Sequence, residues 1–290
     1  MLKITPNQLL DYQYAIVDQI QFNVNFFESY PIVELFPDKN KKHLFPILLP
    51  LEKLSKIQKE ELIEILFSEL EQNNKPIVSM FINADNLKLV AFKNYLEKKL
   101  VISTNGHYSL FRFYDPRVFT QLLWMWSSEQ LSYFYSSINS CCFCLNKQFY
   151  SYINHDIKHN YNRKQSKVNL NTLHRIGLIN RTLDILNLKV DLQEHTIKSQ
   201  QINTLIEKAQ SNYQIYSECD LILFAKHGML ISLNFDLHSI LQNRFNDKKF
   251  FSKTNHYTQM CRLISSTEWL SILNDFDIED EIIIRKVIYG

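Results

Sequence analysis

One dipeptide constrains the geometry of this chain more than any other stretch: Asn105-Gly106, set between residues 101–103 (VIS) and 108–114 (YSLFRFY). Both central positions of a two-residue hairpin turn need positive φ, which Asn and Gly tolerate, so the pair predicts a β-hairpin. Asp115-Pro116 ends it, because the residue before proline is pushed out of the α region while proline suits the first helical position. Asp115 is then the natural N-cap of a helix running through Val118, Phe119, Leu122, Leu123 and Trp126. Residues 127–130 (SSEQ) supply a capping-box pattern for a second helix.

If the strand continues through Tyr114, it puts Leu110, Arg112 and Tyr114 on one face and Phe111 and Phe113 on the other. An arginine between aromatic residues is expected to be partly buried and to need an anionic or carbonyl partner. Asp18, Asp115 and the carbonyls of a helix end are the available kinds. Two roles stay open for Arg112 and Arg117: an ion pair that pins the hairpin to the next helix, or direct contact with a partner. Trp124 and Trp126, two apart, cannot share one helical face, so one is expected in the core and the other partly exposed or against the second lobe.

Upstream, residues 14–20 (YAIVDQI) and 76–82 (PIVSMFI) read as buried strands, and 45–51 (FPILLPL) as an edge strand because proline cannot donate to a ladder. Apolar spacing predicts helices over 52–72 and 86–99, and residues 141–145 suit a further strand. Residues 1–150 thus form an α+β, α/β-like lobe with a mixed sheet and flanking helices. Residues 151–169 are polar and aperiodic, which marks a linker or mobile insertion, and 170–290 read as a mostly α-helical lobe.

Composition removes several functional classes. A formal net charge of +2 gives no field to attract nucleic acid or anionic lipid. No apolar run approaches the roughly 20 residues that cross a bilayer, and the first 20 residues resemble neither signal peptide nor anchor, so no membrane partner is expected. Four scattered glycines leave no phosphate-cradling loop and no nucleophile elbow. Five cysteines, three of them at Cys141, Cys142 and Cys144, fit a reducing cytoplasm better than a disulfide framework.

The stretch LFRFYDPRVFTQLLWMWSSEQLSYFY, residues 110–135, closely resembles the hallmark of the type VI secretion effector-chaperone family of bacterial adaptors. YAIVDQI, FPILLPL and the helix ending in LEKKL are similar to that family's upstream pieces, so the likeness covers about residues 12–145. A weaker likeness continues from residue 200 to 236. The resemblance implies a non-catalytic cytoplasmic adaptor, without cofactor, that binds a toxic effector and helps mount it on the spike protein VgrG. Motif residues Arg112, Tyr114, Asp115, Pro116 and Arg117, with Asp18 as ion-pair partner, would serve structure or binding, and the 170–290 lobe would grip the cargo. The chain departs from the family in being poor in Ala, Arg and Gly, and the Cys141–Cys144 cluster has no counterpart there.

Two other functions compete with this one. Cys141 and Cys144 with His155 and His159 are residue types that complete a tetrahedral zinc site, and a zinc-stabilised nucleic-acid-binding module would follow. The ten residues between the pairs are fewer than zinc fingers use, and adjacent strand residues point to opposite faces. An enzyme of unrecognised class is the other, although no serine, cysteine or carboxylate stands at a recognisable spacing from any histidine. The acidic run from Asp275 to Glu281 lacks the glycine and spacing of a calcium loop and reads as solvated.

Overall fold

The computed structural model describes residues 1–20, 27, 29–36, 42–73, 76–84, 87–104, 107–154, 170–247 and 256–288. It divides into two compact units, Met1–Leu170 and Asn171–Gly290. The first is an α+β lobe and the second is mostly helical. In chain order the first unit holds β1 (Leu2–Lys3), β2 (Tyr14–Val17), β3 (Val33–Glu34), β4 (Ile47–Pro50), α1 (Lys56–Asn73), β5 (Val78–Ala84) and α2 (Leu89–Leu100). It continues with β6 (Val101–Thr104), β7 (His107–Leu110), α3 (Pro116–Met125), α4 (Ser128–Phe134), β8 (Ile138–Leu145) and β9 (Gln148–Ile153).

Seven strands form one sheet in the order β1-β9-β8-β5-β2-β4-β3. Every pairing is antiparallel, where the alternation of strands and helices suggested a mixed sheet. The reason is topological: α1 crosses from β4 to β5, and β2 lies between those two and runs against both. β4 is also not the edge. The two-residue β3 covers its first half, opposite Leu48 and Ile47, and leaves Pro46 and Pro50 outside that ladder, so the prolines are tolerated one strand in.

Residues across the sheet fall in rows. Leu49, Ala15, Phe81 and Cys142 share one row and one face, which packs on Leu62, Leu66 and Leu70 of α1. Each fully buried leucine there contributes about 1.5–3 kcal/mol. On the opposite face Tyr14 meets Phe92 of α2 at 4.7 Å and Phe143 meets Phe119 of α3 at 5.1 Å between ring centroids. Helices on both faces explain why β5 is buried at every position but Asn83 and does not alternate between buried and exposed. β9 carries strand structure to Ile153, and buried Asn154 ties its end to the carbonyls of Tyr135 and Ile138, inside the stretch expected to be linker.

The second unit comprises α5 (Leu170–Leu186), α6 (Leu192–Tyr213), α7 (Glu218–Leu230), α8 (Ser239–Phe245), α9 (His256–Arg262), α10 (Ser266–Asp275) and α11 (Glu281–Ile288). α7 is its axis and packs against α6, α9 and α11. At Gly228 of α7 the Leu205 side chain of α6 leaves no room for a Cβ, which would stand 2.6 Å from Leu205 Cδ1.

Candidate functional site

The motif residues come together at one corner of the first unit. Strand β7 ends at Leu110, so the expected strand through Tyr114 is cut short. Phe111 still donates its N–H to the Leu100 carbonyl, but Phe113 to Asp115 make a turn, with the Asp115 N–H donating to the Arg112 carbonyl at 2.9 Å. The physical cause is Asp115-Pro116, whose demand for a helix start bends the chain before the strand can finish. The predicted Asn105-Gly106 turn lies outside the described residues, while the pairing of Thr104 with His107 and Val101 with Leu110 gives the hairpin its register.

Asp115 caps α3 as expected: its side chain accepts from the Arg117 N–H at 2.9 Å, and Pro116 opens the helix. The Arg117 side chain curls back onto the same carboxylate, with Nη2 at 3.0 Å from Oδ2. Arg112 pairs through Nη2 with Asp18 Oδ2 and stands 3.4 Å from Asp115 Oδ2. Asp18 sits one residue beyond β2, almost fully buried, and its other oxygen accepts from the Ile20 N–H. The outcome is a four-membered chain of charges, Asp18, Arg112, Asp115 and Arg117, which links the end of a central strand to the hairpin exit and to α3. Tyr114 is fully buried beside it, 5.9 Å from the Arg112 guanidinium, and burial pushes its phenol up to about 12 against the pull of Arg112. Trp126 is in the core, while Trp124 is partly exposed and donates to Gln121.

The cysteine cluster contradicts the zinc set. Cys141 pairs with Ile82 and Cys142 with Phe81, so they point to opposite faces of β8, and Cys144 returns to the Cys142 face, packed under α1. Cys141 and Cys144 therefore cannot reach one ion. Burial pushes the Cys144 thiol up to about 12 and those of Cys141 and Cys142 further still, which disfavours the thiolate a metal requires. His155 and His159 lie outside the described residues.

In the second unit the structure joins polar groups that sequence spacing did not connect. Asp220 of α7, fully buried, accepts from the backbone N–H groups of Tyr257 and Thr258 and so caps α9 from another helix. Tyr257 OH lies 2.8 Å from His227 Nδ1, and burial first, then Lys226, pulls the His227 imidazole down to about 3. Asp236 takes Lys208 Nζ at 2.9 Å and the Tyr213 hydroxyl at 2.7 Å. The available signal was a carboxylate inside an apolar run, as in residues 219–225 (CDLILFA). His238, Asp275 and Asp280 are also given local partners: His238 meets Asp275, and Asp280 accepts from the Ile282 N–H at the start of α11.

No helix among the described residues is long and apolar enough to cross a membrane. No family model, characterised protein or solved structure matches the chain.

Proposed function

We propose that this protein is a non-catalytic cytoplasmic adaptor that binds a cognate type VI secretion effector and helps load it onto the spike protein VgrG. The observation that carries the reading is the long likeness of residues 12–145 to the effector-chaperone family, centred on LFRFYDPRV. The motif's side chains support a structural part within it, because Arg112 and Arg117 face Asp18 and Asp115. Cargo recognition is then assigned to residues 171–290, where Ile185, Ile197, Leu237, Leu263 and Ile282 stand exposed on helices and turns as apolar anchors for a helical cargo segment.

Co-expression with the product of the adjacent gene tests the proposal. Co-purification of the two proteins, and loss of that product's secretion when this gene is deleted, is the expected result. Independent behaviour in both assays overturns it.

A further inference from the structure

Lys226 is a buried amine without a counter-ion. It lies on α7, the axis of the second unit, and is only 7% exposed. Its Nζ donates to the backbone carbonyl of Lys286 in α11 at 2.8 Å, and no carboxylate pairs with it among the described residues. Buried cations are ordinarily matched by an anion, because a neutral carbonyl answers one N–H and leaves the charge uncompensated. The charged neighbour that acts on this amine has its own sign: burial first, then the Lys286 ammonium, draws Lys226 below its ordinary range.

The helix that meets this amine is lightly held. Val287 is the one buried side chain of α11, while Ile282 is 65% exposed and Arg285 and Lys286 face water. Its ion pair, Arg285 with Glu281 at 3.8 Å, is internal and fastens it to no other helix. By contrast α9, packed on the same α7, buries His256, Tyr257 and Met260 and is capped by Asp220 of α7. Elements with few buried apolar side chains are the ones that open locally.

We propose that α11 is a displaceable strap over α7, and that the groove it vacates takes an amphipathic helix of the cargo that brings a carboxylate to Lys226. The identity of that partner rests on the cargo-binding role assigned to residues 171–290; the groove itself does not. Charge complementarity selects the occupant. An apolar residue takes the place of Val287, and an Asp or Glu stands where α11 offers only the Lys286 carbonyl. Such a helix fills the same seat and neutralises the buried cation, which α11 opposes with its own lysine. A helix without the acid has no advantage over α11, whose attachment to the chain gives it a high effective concentration. The strap therefore acts as a filter, yielding to acidic amphipathic helices and excluding purely apolar ones.

The test uses the full chain and amide hydrogen exchange read by mass spectrometry. Amides of α11 are expected to exchange at least about tenfold faster than those of α7. The probe is a synthetic peptide of residues 278–288 (IEDEIIIRKVI) carrying Lys286→Glu, and its control carries Lys286→Gln. The Glu peptide should speed exchange of the chain's own α11 and bind at least about tenfold more tightly than the control, the size of one charge-assisted hydrogen bond. Lys226→Met in the chain should abolish that difference. Protection of α11 equal to that of α7, or equal behaviour of the two peptides on the unaltered chain, overturns the proposal without any variant. A tenfold difference that survives Lys226→Met overturns it too. Failed co-purification with the adjacent gene's product beside the expected peptide result overturns the cargo reading alone and leaves the strap and its acidic occupant standing.

Discussion

Replacing Arg112 tests whether the charge chain holds the first unit together. Arg112→Met keeps most of the apolar stem and removes the guanidinium, so Asp18 loses its Arg112 partner while its bond from the Ile20 N–H remains. Removing one partner of a fully buried ion pair costs about 3–5 kcal/mol. Arg112 retains 26% of its side-chain exposure, so water re-solvates part of the abandoned site and the expectation falls to about 2–4 kcal/mol. Amide hydrogen exchange of peptides covering β2 and β5 measures this in the first unit alone. A double-mutant cycle with Asp18→Asn isolates the pair, and a coupling of about 1.5–3 kcal/mol is expected for a charged hydrogen bond. A loss below about 0.5 kcal/mol, or a coupling near zero, refutes the architectural account. If such a stable variant also failed to bind the co-expressed cargo, Arg112 would be a contact residue instead.

Three further expectations follow from the second unit and the cysteines. Gly228→Ala places a methyl 2.6 Å from Cδ1 and 3.1 Å from Cγ of buried Leu205, so overpacking of about 1–3 kcal/mol should outweigh the gain of about 1 kcal/mol in helix propensity; a thermal melt showing stabilisation contradicts this. His227, held near 3 when folded, gains its proton on unfolding, so its contribution is complete above about pH 6.5 and is lost as pH falls toward 3. At pH 5 the loss is about 2 kcal/mol, and His227→Gln should flatten that part of the pH–stability profile measured by urea unfolding. Of the five cysteines only Cys219 is exposed, so an aromatic disulfide reagent at pH 8 should find one fast thiol, and Cys219→Ser should abolish it; several fast thiols would contradict the packing of β8.

Local signals carried their information through to structure wherever backbone chemistry alone decides the outcome. Asp115 before Pro116 and the Ser127 capping box set the starts of α3 and α4 to the residue, since each satisfies helix N–H groups within four positions. The same proline also limited what pattern could foresee: alternation through LFRFY promised a strand to Tyr114, and the helix start at Pro116, two residues beyond, ended it at Leu110. Non-local facts were less legible. Whether β4 lies at an edge depends on two residues, Val33 and Glu34, that carry no strand pattern of their own. That Asp18 answers Arg112 was visible only as one option beside Asp115 and the carbonyls of a helix end, because a chain separation of 94 residues leaves no spacing rule to apply.

The two polar systems differ in what sequence can reveal about them. In the first unit, charge is concentrated in one short motif, so the residues announce themselves even though their partner is distant. In the second, Asp220, His227 and Asp236 are single polar groups in apolar surroundings, each completed by a partner from another helix or turn. A lone buried carboxylate is costly unless such donors exist. Asp220 must therefore specify the position of α9, and Asp236 the turn that follows α7, as strongly as the leucines around them. A unit built this way resists substitution inside and leaves its apolar exterior free to vary. The cargo-binding role proposed for this unit would use that division: a fixed frame set by buried polar pairs, and exposed Ile and Leu positions that can change without disturbing it.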